Sequence, residues 1–158
     1  MKKIVIALLV MLVLSGCSQN KEKELAKEII TKMITYSTYT QTDKNEDNLP
    51  IILEAYFSDE GYKQFVAGKT GYIYPEYLRL TKASDTEKIK FKKIEMSKQK
   101  KGFRLTCHVE YSIVYNNKKI KMQDTLTLSF DEKKQVTEVL ILNTSDIIHK
   151  MFLERRIM

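Results

Sequence analysis

Asp124 is a carboxylate whose place in the sequence conflicts with its chemistry. It lies in the run Ile120-Lys121-Met122-Gln123-Asp124-Thr125-Leu126-Thr127-Leu128, where apolar residues recur at every second position. That period marks one face of a strand, and Asp124 falls on the apolar phase. A carboxyl group buried there has a raised pKa and can serve as a general acid or base. Acid–base catalysis needs further polar groups on the same face. The sequence places only Tyr111 nearby, diagonally across the preceding strand, so a structural hydrogen bond is favoured over a catalytic role.

The other residues able to do chemistry are scattered. His108 takes the outward phase of its strand, opposite Thr125, and His149 sits beside Lys150 near the end of the chain. Two isolated histidines give no metal-ligand spacing, so neither a metal nor a cofactor is expected. Cys107 is on the apolar phase and reads as a small core residue. Phosphate-binding glycine loops, nucleophile elbows and triad spacings do not appear. Two features read instead as surfaces. Tyr62, Tyr72, Tyr74 and Tyr77, with Arg79 close by, form an aromatic patch suited to a sugar or a peptide, or else cover the mouth of the core. Residues 82–101 hold eight lysines against Asp85, Glu87 and Glu95. Lys90, Lys92 and Lys93 lie at the centre of that excess, and Lys119, Lys121 and Arg104 extend it across the sheet. A cluster of this kind attracts anionic lipid or an anionic wall polymer, or simply solvates a sheet face and guards its edge.

The elements that position these residues follow from periodicity. Leu25, Ile29, Met33 and Tyr36, widened by Ala26, Ile30 and Ile34, predict a helix from Lys21 to about Thr40. Asn48-Leu49-Pro50 opens a short helix over Ile51 to Phe57. Ser58 caps another, with Asp59 and Glu60 in its first turn and Gly68 at its end. From Glu87 the period becomes 2. Ile89 and Phe91 share one phase and Ile94 and Met96 the other, so a β-bulge is expected at Lys92-Lys93. Phe103 to Tyr115 alternates without a break, Asn116-Asn117 is a two-residue turn, and Lys118 to Phe130 returns. Paired residue numbers then sum to 233, which sets Ile113 against Ile120, Tyr111 against Met122, Val109 against Asp124 and Phe103 against Phe130. This register puts both apolar phases on one face, and a slip of one residue would destroy the match. Asp131 to Lys134 is a turn, Val136 to Leu142 a last strand, and Asp146 to Met158 a terminal helix.

The first residues are an address. Lys2 and Lys3 precede an apolar run of eleven residues, Ile4 to Leu14, too short to span a bilayer but suited to a signal sequence. Leu14-Ser15-Gly16-Cys17 follows and resembles the lipobox of bacterial lipoproteins. The resemblance implies a diacylglycerol on the Cys17 thiol, cleavage before it, and a lipid-anchored protein on the extracytoplasmic face of the cell membrane. Residues 1–16 would be the signal peptide, 17–20 a short tether and 21–158 a single domain. The mature chain would then hold 142 residues, with 25 basic against 20 acidic side chains, and Cys107 as its one free thiol. The abundance of Lys, Ile and Asn suggests a Gram-positive source.

Helices followed by a meander of antiparallel strands predict an α+β fold. The order of elements, the bulge, and the junction Tyr56-Phe57-Ser58-Asp59-Glu60-Gly61-Tyr62 resemble the nuclear-transport-factor-2-like superfamily, in which a curved sheet wraps N-terminal helices. A cystatin-like sheet around one helix is the alternative. The expected function is a non-enzymatic binding or scaffold module on the membrane. Its partners would be the bilayer, an anionic lipid or wall polymer, or a membrane protein complex, and nucleic acid is not expected. The alternatives are an accessory component of a conjugation or secretion assembly, and a small isomerase- or hydrolase-type enzyme using Asp124.

Overall fold

A computed structural model describes residues 20–35, 51–68, 70, 73–74, 86–115 and 118–143. Helix α1 covers residues 20–34, α2 is Ile51–Glu54 and α3 is Asp59–Ala67. Four strands follow: β1 (Glu87–Lys98), β2 (Phe103–Tyr115), β3 (Lys118–Phe130) and β4 (Val136–Asn143). They form one antiparallel sheet in the order β1-β2-β3-β4. The fold is therefore α+β with an open meander. The proposed turn at 116–117 and the terminal helix at 146–158 lie outside the described residues.

Helix α1 forms because its apolar residues repeat at helical spacing, and Ala26, Ile29, Ile30, Met33 and Ile34 are all fully buried. Each of the isoleucine and methionine side chains contributes roughly 1.5–3 kcal/mol of burial. The described helix runs to Ile34, and the rest of the expected helix, from 36 to about Thr40, lies outside the described residues. Thr35 turns its hydroxyl back onto the Thr31 carbonyl at 2.7 Å, and the Thr86 hydroxyl donates to the Ile34 carbonyl at 2.5 Å. The Thr31 carbonyl keeps its bond from the Thr35 amide at 3.1 Å as well, and the Ile34 carbonyl gains a side-chain donor.

The second helix is shorter than its pattern. It ends at Glu54, because Phe57 leaves to make a parallel bridge with Val136 on β4. Ser58 then caps α3: its backbone is extended and its Oγ accepts from the Gly61 amide at 3.2 Å. A Cβ on Gly61 would lie 2.4 Å from the Val136 carbonyl, so glycine is what lets α3 rest directly on β4.

The β2–β3 pairing matches the sequence register at every rung, from Phe103 opposite Phe130 to Tyr115 opposite Lys118. Leu105, Cys107, Val109, Tyr111, Ile113, Met122, Leu126, Leu128 and Phe130 are buried on the inner face, under the helices. Strand β1 carries the expected bulge between Phe91 and Lys93 and a second irregularity between Glu87 and Lys90, where Lys88 has φ 53°. The first bulge turns consecutive lysines to one side: Lys92 pairs with Glu110, and Lys93 with Glu95, both on the outer face.

Candidate functional site

Among the described residues, two places combine polar side chains in a way that could serve function: the buried Asp124 cluster on the inner face and the lysine-lined groove on the outer face.

Asp124 is 2% exposed, as the alternation required. Its Oδ2 accepts from the Tyr111 hydroxyl at 2.7 Å and from the Tyr74 hydroxyl at 2.9 Å. The two rings meet edge to face, with centroids 6.4 Å apart. Tyr111 was expected; Tyr74 was not. The tyrosine-dense segment suggested either a binding surface or cover for the core, and Tyr74, 2% exposed, belongs to the core. The missed signal was a need rather than a motif. A buried carboxylate calls for donors, and tyrosine brings a donor on an apolar body. Tyr72, Tyr77 and Arg79 lie outside the described residues. Among the described residues no buried side-chain nitrogen or oxygen is left without a partner. Nor do they hold a group of three or more His, Cys, Asp or Glu placed to bind a metal.

Cys107 is fully buried opposite Leu126, and loss of solvent pushes its thiol up to about 12. His108 faces outward and shares a hydrogen bond of 3.1 Å with Thr125.

The outer face divides into zones along the strands. At one end Arg104 of β2 bonds Ser129 of β3 and pairs with Glu138 of β4, so the charges there are matched. The middle carries Thr106, Thr127, His108 and Thr125, with Thr106 and Thr127 joined at 3.2 Å. At the far end lies a groove of about 580 Å³. Lys88, Lys90 and Lys92 of β1 form one wall, and Lys119 and Lys121 of β3 form the other. Glu110 and Ser112 of β2 lie between them.

Glu110 organises both walls. It accepts from Lys92 at 2.9 Å on one side and from Gln123 at 3.0 Å on the other. The Lys92 bond, with Gln123 assisting, holds the Glu110 carboxyl below its ordinary range. Glu87 is held low in the same way by Lys119. Among the described residues, Lys88, Lys90 and Lys121 are in no ion pair. The structure thus brings Lys90 and Lys92 together with Lys88, Lys119 and Lys121. Lys93 shares the face but is tied to Glu95 at 2.8 Å, outside the groove. Arg104 stands at the opposite end of the sheet.

Residues 1–18 match a family model described as a prokaryotic membrane lipoprotein lipid attachment site. Cys17 is the one cysteine in that stretch. The chain is accordingly a lipid-anchored membrane lipoprotein on the extracytoplasmic side. No curated protein and no solved structure matches the chain.

Proposed function

We propose that this lipoprotein is a non-enzymatic binding module, tethered through a lipid on Cys17, that works through the outer face of its sheet. The observation that carries the reading is the state of Asp124. It is the carboxylate best placed for catalysis by sequence, yet it is 2% exposed and holds two tyrosine hydroxyls. General acid–base chemistry needs a group within reach of a substrate proton. A carboxylate closed off by aromatic rings serves better as an acceptor that fixes the Tyr74 segment to the sheet. Among the described residues, Lys88, Lys90 and Lys121 stand on the exposed outer face in no ion pair.

The helix-then-meander order and the bulged, open sheet fit a nuclear-transport-factor-2-like cone, and this fold is part of the proposal. An accessory role in a conjugation or secretion assembly would use the same exposed face against a protein.

Complementation of a deletion strain tests the reading. Asp124→Asn, confirmed to be folded, should restore the wild-type phenotype. A chain carrying Lys88→Gln, Lys90→Gln and Lys121→Gln should not. If the folded Asp124→Asn chain fails and the lysine variant succeeds, the enzyme reading takes its place.

A further inference from the structure

Resting on that binding-module reading, we infer that the outer-face groove binds a linear polyanion with repeating phosphodiester groups, standing off the membrane, and not the bilayer that carries the protein. The ligand class follows from the walls. Lys119 and Lys121 alternate along β3, so their attachment points repeat about every 6.6 Å, and β1 carries a facing row about 10 Å away across β2. Two parallel rows of cations with a trough between them fit a chain that repeats its charge along its length. A single phosphate would engage only one rung. The rung of Lys90, Glu110 and Gln123 and the rung of Glu87, Ser112 and Lys121 are set by strand pairing, so the spacing is fixed before any ligand arrives. Lys92 is held against Glu110 and Lys119 against Glu87, while Lys88, Lys90 and Lys121 are left to meet an anion.

The direction of the groove decides between polymer and membrane. Helix α1 fixes which end of the domain meets the lipid. Near its start, Glu22 pairs with Lys134 at 3.3 Å, in the turn between β3 and β4. At its other end the Ile34 carbonyl is bound by Thr86, just before β1. The helix therefore runs from the Phe130 end of the sheet toward the Glu87 end. Asn20 is already helical, so only Ser18 and Gln19 separate Cys17 from it. Three residue steps reach about 10 Å. The Phe130 end is thus held beside the bilayer. From Phe130 to Lys121 the strand rises about 30 Å at roughly 3.3 Å per residue. That distance is several Debye lengths, about 8 Å each at physiological salt, beyond the reach of headgroup charge. The groove also opens on the face of the sheet opposite α1. It is displayed away from its own membrane.

The test uses the lipidated full-length protein in nanodiscs of neutral lipid, with a fluorescent glycerol-phosphate oligomer as probe. The wild type should bind the oligomer, and affinity should fall steeply with salt as counterions are released. Each of Lys88→Gln, Lys90→Gln and Lys121→Gln should lower affinity about fivefold and flatten the salt slope by about 0.7, and the triple variant should lose about a hundredfold. These positions are exposed, so the fold is not at stake. Inorganic phosphate at equal phosphate concentration should not compete. Absence of oligomer binding, or binding that the triple variant keeps, overturns the inference. So does equal competition by inorganic phosphate, which means a single-anion site. Lysine-dependent attachment to phosphatidylglycerol vesicles without oligomer binding means the partner is a bilayer, and overturns it too. If the triple variant fails in complementation while no oligomer binds, the module reading stands and the polyanion falls.

Discussion

Removing one hydroxyl from the Asp124 cluster is the sharpest test of the buried site. Tyr111→Phe deletes the donor that lies 2.7 Å from Oδ2 and leaves the ring in place against Tyr74. The cost is then the hydrogen bond and the lost solvation of a buried acceptor, about 1–3 kcal/mol. Tyr74→Phe removes the donor at 2.9 Å and should cost a similar amount. The two donors share one oxygen, so the double variant should exceed the sum of the singles by about 0.5–3 kcal/mol. Urea unfolding of a soluble form beginning at Ser18 reads this directly. With a slope of about 1–3 kcal/mol/M, a loss of about 2 kcal/mol moves the midpoint by about 1 M. Losses within about 0.5 kcal/mol, the range of an ordinary surface change, would refute the claim that Asp124 is a structural acceptor.

The same assay checks the register. Leu128→Ala should cost about 2–4 kcal/mol, and Thr106→Ala, which gives up the bond to Thr127, about 1 kcal/mol; equal losses would contradict the pairing. Gly102 has φ 96°, and a Cβ there would lie 1.9 Å from the Phe130 carbonyl, so Gly102→Ala should cost more than the roughly 1 kcal/mol of an ordinary glycine replacement, measured by thermal or urea unfolding. The Cys107 thiol is raised to about 12 by burial, so the stability it contributes is complete below the unfolded value near 8.5 and is lost as pH rises toward 12. At pH 8 a thiol reagent should label it only through opening of the fold, so labelling should speed up with urea; rapid labelling of the native chain would show that the thiol is accessible.

The sheet was legible in the sequence because a period of 2 carries its own check. Two alternating strands joined by Asn116-Asn117 have one register in which Phe103 meets Phe130 and Tyr111 meets Met122, and every rung obeys it. The bulge at Lys92 was visible as a phase slip, but the irregularity near Lys88 was not, since no apolar residue changes phase there. The end of α2 was misjudged where a tertiary contact intervened: Phe57 leaves the helix for Val136. Asp124 could be placed from alternation alone, whereas Tyr74 could not, because 50 residues of chain separate it from its acceptor. The lysine excess was plain in composition. The extension to Lys119 and Lys121 followed from the hairpin register, whereas the separation of Lys93 and Arg104 from the groove did not.

A module held at the membrane by Cys17 should keep its lysine groove turned away from the bilayer. Paramagnetic probes on single cysteines measure this directly. The buried, poorly ionised Cys107 should not compete for the label. Lys133→Cys places a spin label in the turn whose Lys134 pairs with Glu22 of α1, and Lys121→Cys places one in the groove. In lipidated protein on vesicles containing phosphatidylglycerol, relaxation by a headgroup-bound paramagnetic lipid should be strong at 133 and near background at 121. Strong relaxation at 121 would mean that the groove lies on the membrane, and would contradict the account.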